Sequence, residues 1–483
     1  MSEHRRQWEK AGGKVPDTWE FQTIEQLLES SKSISVGVMY PGSNVEGGIP
    51  LIKVSDVKNG AVTGRPEFCI ADDVDYEYRR TKLNGSELLI TLVGNPGDCV
   101  VVSEEMAGWN VARALAVVRL ADIELRPWLR YVLLSKPAKH LIEARLNTTV
   151  QKTLNLKDIR ELGLPIPPKE DREVITTIVG AIEKKTVLNS QINQTLEEMA
   201  QAIFKSWFVD FEPVKAKMMI REKGGREQAQ SFAAQACIAG NLTLEELESM
   251  EAGYSGWEAM LHPLVVKNFE PAGLDQWEPE QLAATAALFP ASLTDSPLGP
   301  IPEGWGVQRV ENLLELAYGK ALKKTDRVDG DIPVYGSGGL TGHHNQSLVN
   351  GPGIIVGRKG TVGSIYWEQS DFYPIDTVFY TAPAAGISLE FLYYLLHTLG
   401  LESMNTDAAV PGLNRNNVYR LEVPNYPEEL IDVFAKVVLP LKQKVILGLD
   451  ESATLAAIRD ALLPKLLSGE ISVGATEAEL EAA

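Results

Sequence analysis

The sequence is poor in cysteine and histidine, with three and six of these residues among 483. Cys69, Cys99 and Cys237 lie far apart without metal-ligand spacing, and their odd number argues against a disulfide framework. No apolar run approaches the roughly 20 residues of a membrane helix. The N-terminal MSEHRRQWEKAGGK has no apolar core behind its basic residues, so it does not predict a secretory signal. We expect a cytoplasmic protein with no metal site and no membrane partner.

Basic residues are also scarce, since 46 Lys and Arg face 65 Asp and Glu and the net charge is −19. This balance is unusual for a protein that binds DNA. The acid is unevenly placed, however, because residues 222–300 hold three basic and twelve acidic residues. Such a segment is compatible with a solvated acidic surface. It is equally compatible with a DNA binder that neutralises phosphates locally or through a basic partner.

Motifs for catalysis are missing. No GxxxxGK[ST] phosphate loop occurs, and the glycines of GSGGLTG at 336–342 do not have dinucleotide-binding spacing. His343 and His344 are adjacent on a predicted strand and should point to opposite faces, which disfavours a shared metal site. No Ser/His/Asp or Cys/His set is evident, although triad partners can be remote in sequence. We therefore predict no catalytic residue.

An internal repeat is the main positive feature. PDTWEFQTIEQLL begins at Pro16, and the related PEGWGVQRVENLL begins 286 residues later at Pro302. TLNLKDIRELGLPIPP and GLNRNNVYRLEVPNYP, near the ends of the two copies, are 259 residues apart. The first copy is therefore 27 residues longer inside its globular part. Similar ends with a variable middle indicate two modules that share a scaffold and have different targets.

Each globular half alternates short β-rich runs with Gly, Pro and Asn turns. IPLIKV, LLITLV and CVVV predict strands in the first half, and IPVY, GIIVG, SIYW and TVFYTA do so in the second. WLRYVLLSKPAKHLIEARL, from Trp128, predicts a helix near the end of the first half. Apolar residues at three- and four-residue steps over 169–208, and again after Pro427, predict two helices that pack against each other. The expected fold class is α+β, with two mixed α/β domains separated by an antiparallel two-helix coiled-coil spacer.

Polar residues in the loops of both halves are suited to DNA. Arg and Lys can pair with guanine edges and Asn or Gln with adenine, whereas glycine lets the backbone approach phosphate. Taken singly, each is better explained as a solvated loop side chain, but the set recurs at the same places in both copies. The candidates are Lys53, Ser55, Lys58, Asn95, Arg113, Gln151 and Lys152 in the first half, and Tyr335, Ser337, Thr341, His343, His344, Arg358, Lys359, Thr361, Asn414 and Arg415 in the second.

Several segments together resemble one known family over essentially the whole chain. They are the PEGW start, LGLPIPPKEDRE at the helix entry, MAQAIFKSWFVDFEPVKAKM, LFPASLTDSPLGPIPEGW, PVYGSGGLTG, IIVGRKGTVG and LLPKLLSGEI. In this order they resemble the specificity subunits of type I restriction-modification systems. One departure is KEDRE, where the family commonly has a Glu-Gln pair. The resemblance divides the chain into target-recognition domain 1 (1–168), a first spacer helix (169–220), an acidic helical excursion and linker (221–300), target-recognition domain 2 (301–427), a second spacer helix (428–472) and an acidic tail (473–483).

The resemblance also implies a function and partners. Each recognition domain would bind one part of a split double-stranded DNA target, and the helices would set the gap and dock two modification subunits. Those partners would carry S-adenosylmethionine and methylate adenine, while two motor-nuclease subunits would use ATP and Mg²⁺. The chain itself would have no cofactor and catalyse nothing. The repeat's unlike inner segments further suggest an asymmetric target.

Two other classes of function remain possible on the residues alone. One is an enzyme in which the Gly-rich loops cradle a phosphate ligand and His343 or His344 acts as acid or base. The other is a purely structural coiled-coil adaptor. Turnover by the purified chain would favour the first, and DNA preference unchanged by swapping the halves would favour the second.

Overall fold

The computed structural model describes residues 2–58, 60–62, 64–146, 152–251, 256–265, 279–404 and 412–471. The chain forms two compact units: unit 1 is Met1–Val187 with Ser452–Ala483, and unit 2 is Leu188–Glu451. Among the described helices, none has the length and apolar character required to cross a membrane.

Unit 1 has eleven short strands among its described residues and six helices before the first long one. The strands are β1 (Glu20–Thr23), β2 (Ile34–Val36), β3 (Ile49–Ile52), β4 (Val57–Lys58), β5 (Ala61–Val62), β6 (Cys69–Ile70), β7 (Leu88–Thr91), β8 (Cys99–Val101), β9 (Asn110–Val111), β10 (Leu115–Val118) and β11 (Gly163–Ile166). The helices are α1 (Glu3–Lys10), α2 (Ile24–Leu27), α3 (Asp72–Glu77), α4 (Leu125–Leu134), α5 (Lys136–Glu143) and α6 (Leu156–Arg160), followed by α7 (Lys169–Phe208), which continues into unit 2.

Unit 2 adds the helices and strands of the second half. After α7 come α8 (Glu212–Glu222), α9 (Glu227–Ile238), α10 (Leu244–Ser249), α11 (Trp257–Val265) and α12 (Pro279–Ala287). The strands are β12 (Leu293–Thr294), β13 (Ile301–Pro302), β14 (Val307–Arg309), β15 (Leu314–Tyr318), β16 (Ile332–Gly336), β17 (Gly339–His344), β18 (Gly353–Gly357), β19 (Ile365–Glu368), β20 (Tyr373–Pro374), β21 (Val378–Pro383) and β22 (Glu422–Pro424). The remaining helices are α13 (Leu389–Thr398), α14 (Arg415–Tyr419) and α15 (Glu428–Leu467), the last of which ends in unit 1.

The two halves share one sheet topology. A four-stranded antiparallel sheet has the order β2-β10-β7-β8 in the first half and β15-β21-β18-β19 in the second. A three-stranded sheet, β6-β3-β9 or β17-β16-β20, pairs its middle strand antiparallel on one side and parallel on the other. The first strand also pairs antiparallel with the last in each half, β1 with β11 and β14 with β22. The predicted strands and the mixed α/β character of each half are therefore confirmed.

A glycine marks the same tight backbone crossing in both copies. Gly37 follows β2 and Gly319 follows β15. A Cβ on Gly37 would lie 2.2 Å from the Val111 carbonyl oxygen, and a Cβ on Gly319 would lie 2.2 Å from that of Ile375. Because no side chain fits at such a distance, both positions require glycine. The repeat therefore preserves backbone geometry as well as strand order.

The two long helices run antiparallel within unit 2. The Asn189 side-chain amide donates to the carboxylate of Glu451 (2.7 Å), and further along α7 the Phe204 ring lies 5.4 Å from that of Phe434. Phe204, Trp207 and Phe208 pack with Phe391 of α13 and Phe434 in an aromatic core. Burial of these large rings is the main apolar stabilisation of this end of the helices.

The first long helix has the bounds 169–208 of the apolar pattern, and both long helices end before the domain bounds of 220 and 472. The first stops at Phe208, and Phe211 then adopts a left-handed backbone with φ of 54° before α8 begins. Phe211 is nevertheless buried and meets the Trp305 ring edge-to-face at 5.7 Å, so packing compensates for a conformation that is unfavourable for a non-glycine residue. The second helix ends at Leu467, and Gly469 takes a positive φ of 67°.

The helix predicted from Trp128 is instead two helices, α4 and α5. The chain is extended at Ser135 (φ −68°, ψ 153°), just before Lys136 and Pro137 begin the second helix. Proline is well tolerated in a first turn but would clash with the preceding turn in the middle of a helix. The prediction of a single helix was therefore wrong at this proline. Among the described residues of the predicted excursion, 221–300, the helices are α9, α10, α11 and α12, whereas α8 lies almost wholly before it.

Candidate nucleic-acid interface

Two arginines of the second half converge on one exposed tyrosine. Tyr318 ends β15, and the guanidinium carbons of Arg358 and Arg415 lie 5.0 and 4.9 Å from the centre of its ring. The Tyr318 ring packs on the ring of Phe379, with 5.0 Å between the ring centres, and Tyr318 is 49% exposed. We call Tyr318, Arg358, Lys359 and Arg415 the basic platform. Cation–π contacts hold its guanidinium groups at the surface.

Hydrogen bonds to the backbone hold Arg358 and Lys359 of the basic platform in place. Arg358 donates from Nη1 to the Asp376 carbonyl (2.9 Å), and its own carbonyl accepts the Leu413 N–H (2.8 Å). The Lys359 N–H donates to the Thr377 carbonyl (3.0 Å). Within the described ranges, no carboxylate forms an ion pair with Arg358, Lys359 or Arg415. Their positive charge is therefore left uncompensated and is suited to phosphate or to the edge of a base.

The glycine-rich hairpin between β16 and β17 adjoins the platform loop. The Ser364 hydroxyl donates to the carbonyls of both Ser337 (2.7 Å) and Thr361 (3.1 Å). A Cβ on Gly360 would lie 3.1 Å from Ser337 Oγ, so the two loops are in close contact. The structure thus brings together Ser337, Arg358, Lys359, Thr361 and Arg415 from the predicted set.

Other predicted residues of the second half have structural contacts of their own. The Tyr335 hydroxyl donates to Glu368 (2.8 Å), and burial together with this carboxylate raises the pKa of Tyr335. The Thr341 hydroxyl donates to the Val334 carbonyl (3.0 Å), although Thr341 is exposed. Asn414 is exposed and its side chain caps α14.

The adjacent histidines point to opposite faces, as predicted. His343 is exposed, whereas His344 is only 7% exposed and its Nδ1 accepts the Val328 N–H (3.1 Å). A buried ring with a backbone partner cannot face DNA, so we remove His344 from the candidate set. Among the described residues, no group of three His, Cys, Asp or Glu side chains could hold a metal ion.

The first half presents a different surface. A groove of about 650 Å³ is lined by Met39, Tyr40, Lys53 and Arg113, among others. Tyr40 is 77% exposed, and the Lys53 Nζ lies 3.5 Å from the centre of the Phe68 ring. The groove is therefore largely apolar, with two cations among its lining residues.

Among the remaining candidates of the first half, Ser55, Asn95 and Lys152 lie outside the strands and α-helices, and Lys58 ends β4. The Ser55 hydroxyl donates to Asp56 (3.3 Å), so part of its hydrogen-bonding capacity is used within its own loop. Gln151 lies outside the described residues. Exposed side chains are those of Ser55, Lys58, Asn95, Arg113 and Lys152.

Matching hydrogen bonds show which residues of the two halves are equivalent. The Leu92 N–H donates to the Ala114 carbonyl and its carbonyl accepts the Leu154 N–H, just as Arg358 is bonded to Thr377 and Leu413. The residue after each also forms an antiparallel bridge, Val93 with Thr153 and Lys359 with Gly412. Arg358 is therefore equivalent to Leu92 and Lys359 to Val93.

The basic platform consequently belongs to the second half alone. Asn155 and Asn414 both precede a short helix, so Arg415 is equivalent to Leu156. Where the second half has Arg, Lys and Arg, the first half has Leu, Val and Leu. The polar set was expected to recur at the same places in both copies, and these three positions do not fit that expectation. Tyr318, Met39 and Tyr40 were not among the predicted residues. Their common signal is an exposed aromatic or apolar residue beside the glycine that follows β2 or β15.

Comparison with known proteins identifies the origin of this repeated scaffold. A family model described as "Type I restriction modification DNA specificity domain" matches residues 16–198 and 302–425, one match in each half. The chain belongs to this family. The HindI specificity subunit of Haemophilus influenzae is 27% identical over 463 residues, covering 88% of this chain and 94% of that protein. The EcoBI specificity subunit of Escherichia coli is 27% identical over 184 residues, which cover 38% of this chain and 39% of that protein.

A solved structure supports the fold. The S subunit of a type I restriction-modification system from M. genitalium matches 94% of this chain and 97% of its own, with 16% identity and a TM-score of 0.50. Family membership establishes that the chain is a type I specificity subunit, the non-catalytic component that supplies DNA-sequence recognition, with no cofactor of its own. This result decides against the hypotheses of an enzyme and of a purely structural adaptor.

Proposed function

We propose that this specificity subunit recognises a split, asymmetric DNA target, with one half-sequence bound by each recognition domain. The observation that carries the proposal is the unequal chemistry of equivalent positions, Arg358 and Arg415 in one half and Leu92 and Leu156 in the other. Two domains with the same scaffold and the same contact residues would favour a symmetric target. Different contact residues favour two unlike half-sequences.

The second recognition domain would bind mainly through charge and hydrogen bonds. Arg358 and Arg415 have forked donors suited to guanine O6 and N7, and Tyr318 limits their freedom by stacking. Ser337, Lys359 and Thr361 would contact phosphates or bases from the neighbouring loops, since polar side chains and backbone amides commonly bind phosphate oxygens. Thr341, His343 and Asn414 remain candidates from the same half.

The first recognition domain would bind with a larger apolar contribution. Met39 and Tyr40 are exposed beside Lys53 and Arg113, so the groove offers apolar contacts next to two cations. Apolar side chains in the major groove discriminate the thymine methyl group. Ser55, Lys58, Asn95 and Lys152 are further candidate contacts, and Gln151 keeps its place in the proposed set.

The long helices would act as a coiled-coil spacer between the half-sequences. Each contains 40 residues, which corresponds to a length of about 60 Å at 1.5 Å per residue. The antiparallel contacts of Asn189 with Gly448 and Glu451 within unit 2 support a paired arrangement. In this arrangement the predicted domains 1–168 and 301–427 would be held at a defined separation.

The partners would complete the functional complex in the cytoplasm. We propose two modification subunits, which bring S-adenosylmethionine and methylate adenine, and two motor-nuclease subunits that use ATP and Mg²⁺. The net charge of −19 supports dependence on partners, because an acidic chain gains DNA affinity when a partner surface contributes cations.

Mapping methylated adenines tests this function directly. The full chain would be co-expressed with its modification subunit in cells that lack other adenine methylation, and modified positions would be sequenced across the genome. We expect one split motif with two unlike half-sequences and a fixed gap. A continuous motif, a palindrome or methylation without sequence preference would contradict the proposal. The modification subunit expressed alone is the control.

A further inference from the structure

Each recognition domain is attached to its long helix by a buried polar contact at an equivalent position. WLRYVLLS at 128–135 is the repeat equivalent of FLYYLLHT at 391–398. In this alignment Arg130 and Tyr131 of α4 correspond to Tyr393 and Tyr394 of α13. The ends of the repeats are related by an offset of 259, so Glu183 of α7 corresponds to Lys442 of α15 in the alignment. The two helices therefore present opposite charges at the same place in the repeat.

In unit 1 the contact is an ion pair with an added hydroxyl. Both Arg130 Nη1 contacts to Glu183 are short, at 3.0 and 2.8 Å, and the Tyr131 hydroxyl donates to the same carboxylate (3.1 Å). The side chains of Arg130 and Glu183 are only 13% and 26% exposed. Arg130 Nε also donates to the Gly60 carbonyl (3.1 Å). We call this group the glutamate anchor.

In unit 2 the same position is a lysine enclosed by aromatic rings. The Lys442 Nζ lies 3.1 Å from the centre of the Trp367 ring, 4.1 Å from Tyr393 and 5.5 Å from Tyr394. Lys442 is 7% exposed, and within the described residues its Nζ has no hydrogen-bond partner. We call this group the lysine anchor.

Burial and neighbouring charges oppose each other at the lysine anchor. Burial lowers the pKa of Lys442 to about 7, and the carboxylates of Glu197 and Glu390 act in the opposite direction. The aromatic faces attract a cation and substitute in part for lost hydration. A carboxylate at position 442 would face the same rings and the two carboxylates of Glu197 and Glu390, which is unfavourable. If the first domain were placed on α15 instead, its Arg130 would be buried against Lys442, a charge of the same sign.

We propose that these two anchors form a docking code, in which the residue at position 183 or 442 determines which recognition domain can be seated on that helix segment. The first domain carries an arginine and needs a carboxylate, whereas the second carries an aromatic enclosure that accepts a cation and disfavours a carboxylate. The code thus disfavours the exchanged arrangement as well as favouring the native one. The inference rests on the proposed division into two recognition domains.

Single substitutions provide the first measurement. In the full chain bound to its modification subunits, Lys442→Glu should speed amide hydrogen exchange in α13 on the order of tenfold, because the carboxylate repels its surroundings. Lys444→Glu is the matched control, since it makes the same charge change two residues away at an exposed position. Lys442→Met removes the charge and keeps the bulk, and it should leave exchange in α13 within about threefold of the native rate.

A domain exchange provides the deciding measurement. A second copy of residues 16–166 would replace residues 302–424, which places the first domain next to α15. Three such chains would be compared: one with Lys442, one with Lys442→Glu and one with Lys444→Glu. We expect the transplanted copy of α4 to exchange its amides at least tenfold more slowly in the Lys442→Glu chain than in the other two chains, because only a glutamate at position 442 restores the pair with Arg130. Equal exchange rates in the three chains would overturn the code.

DNA methylation by the same chimeras separates the code from the proposed function. A target in which the first half-sequence replaces the second, tested in both orientations, should be methylated by the Lys442→Glu chimera. If amide protection follows residue 442 while no such target is methylated, the docking code stands and the half-by-half division of DNA recognition fails. If protection does not follow residue 442, the code fails whatever the methylation pattern.

Discussion

Inserting seven residues into both long helices, after Val187 and after Glu451, should widen the gap between the half-sequences by about three base pairs. Seven helical residues add about 10.5 Å, and stacked base pairs are about 3.4 Å apart. The insertion preserves the apolar stripe because seven residues complete close to two turns. Leu188 and Leu449 are exposed near these points, at 48% and 58%, so little buried packing is disturbed. Both half-sequences should stay unchanged in a methylation map.

Insertion into α7 alone is the control for this experiment. Because only one of the two helices is lengthened, the end of α15 that belongs to unit 1 would be displaced, and Leu466 and Leu467 would leave the core of that unit. We expect that chain to lose methylation of the native and of the widened target alike. A doubly lengthened chain that kept the native gap, or that recognised altered half-sequences, would refute the role of the helices as a spacer.

The double substitution Arg358→Ala/Arg415→Ala should weaken binding to the full target on the order of 100-fold or more. A well-placed arginine contributes about 1–3 kcal/mol of discrimination between bases, and both guanidinium groups share the Tyr318 support. The loss should affect one half-sequence. Base changes in that half should cease to matter, while those in the other half should keep their full effect. Competition binding with systematically altered targets measures this difference.

Arg420→Ala is a matched control within the same domain. Arg420 is exposed at the end of α14, outside the basic platform, so its removal should leave specificity unchanged. Thermal unfolding would verify that the double variant keeps its fold. An equal loss of affinity for every DNA sequence would instead show that the two arginines bind only the DNA backbone. In that case the slope of log affinity against log salt concentration would fall by the amount expected for about two phosphate contacts.

The sequence predicted the features that depend on pattern. The repeat, most strands and the start of α7 at Lys169 follow from alternating or helical spacing of apolar residues, which the structure confirms. The apolar pattern also ends at Phe208, where α7 ends, whereas the domain bound of 220 lies beyond this helix. Its termination depends on the buried packing of Phe211 against Trp305, a contact between residues that are remote in sequence.

The candidate interface was harder to predict because its geometry depends on loops of unequal length. Arg358 and Leu92 can be matched only through their backbone partners, Thr377 with Leu413 and Ala114 with Leu154. Strand alternation predicted that His343 and His344 point to opposite faces, but burial in the structure was needed to show that His344 is the inward one. Residue type indicated the chemistry, and tertiary contacts determined which side chains are presented together.

Site-specific photo-cross-linking tests the central claim, that each domain contacts its own half-sequence. Asn95 and Thr361 are exposed at matching places in equivalent loops, since the Gly97 N–H donates to the Thr91 carbonyl just as the Gly363 N–H donates to that of Gly357. Each would be replaced in turn by a photoreactive residue in the complete complex, and the cross-linked base would be located on the mapped target. We predict cross-links from position 95 in one half-sequence and from position 361 in the other. Cross-links from both positions to the same half-sequence, or only to the gap, would contradict the account.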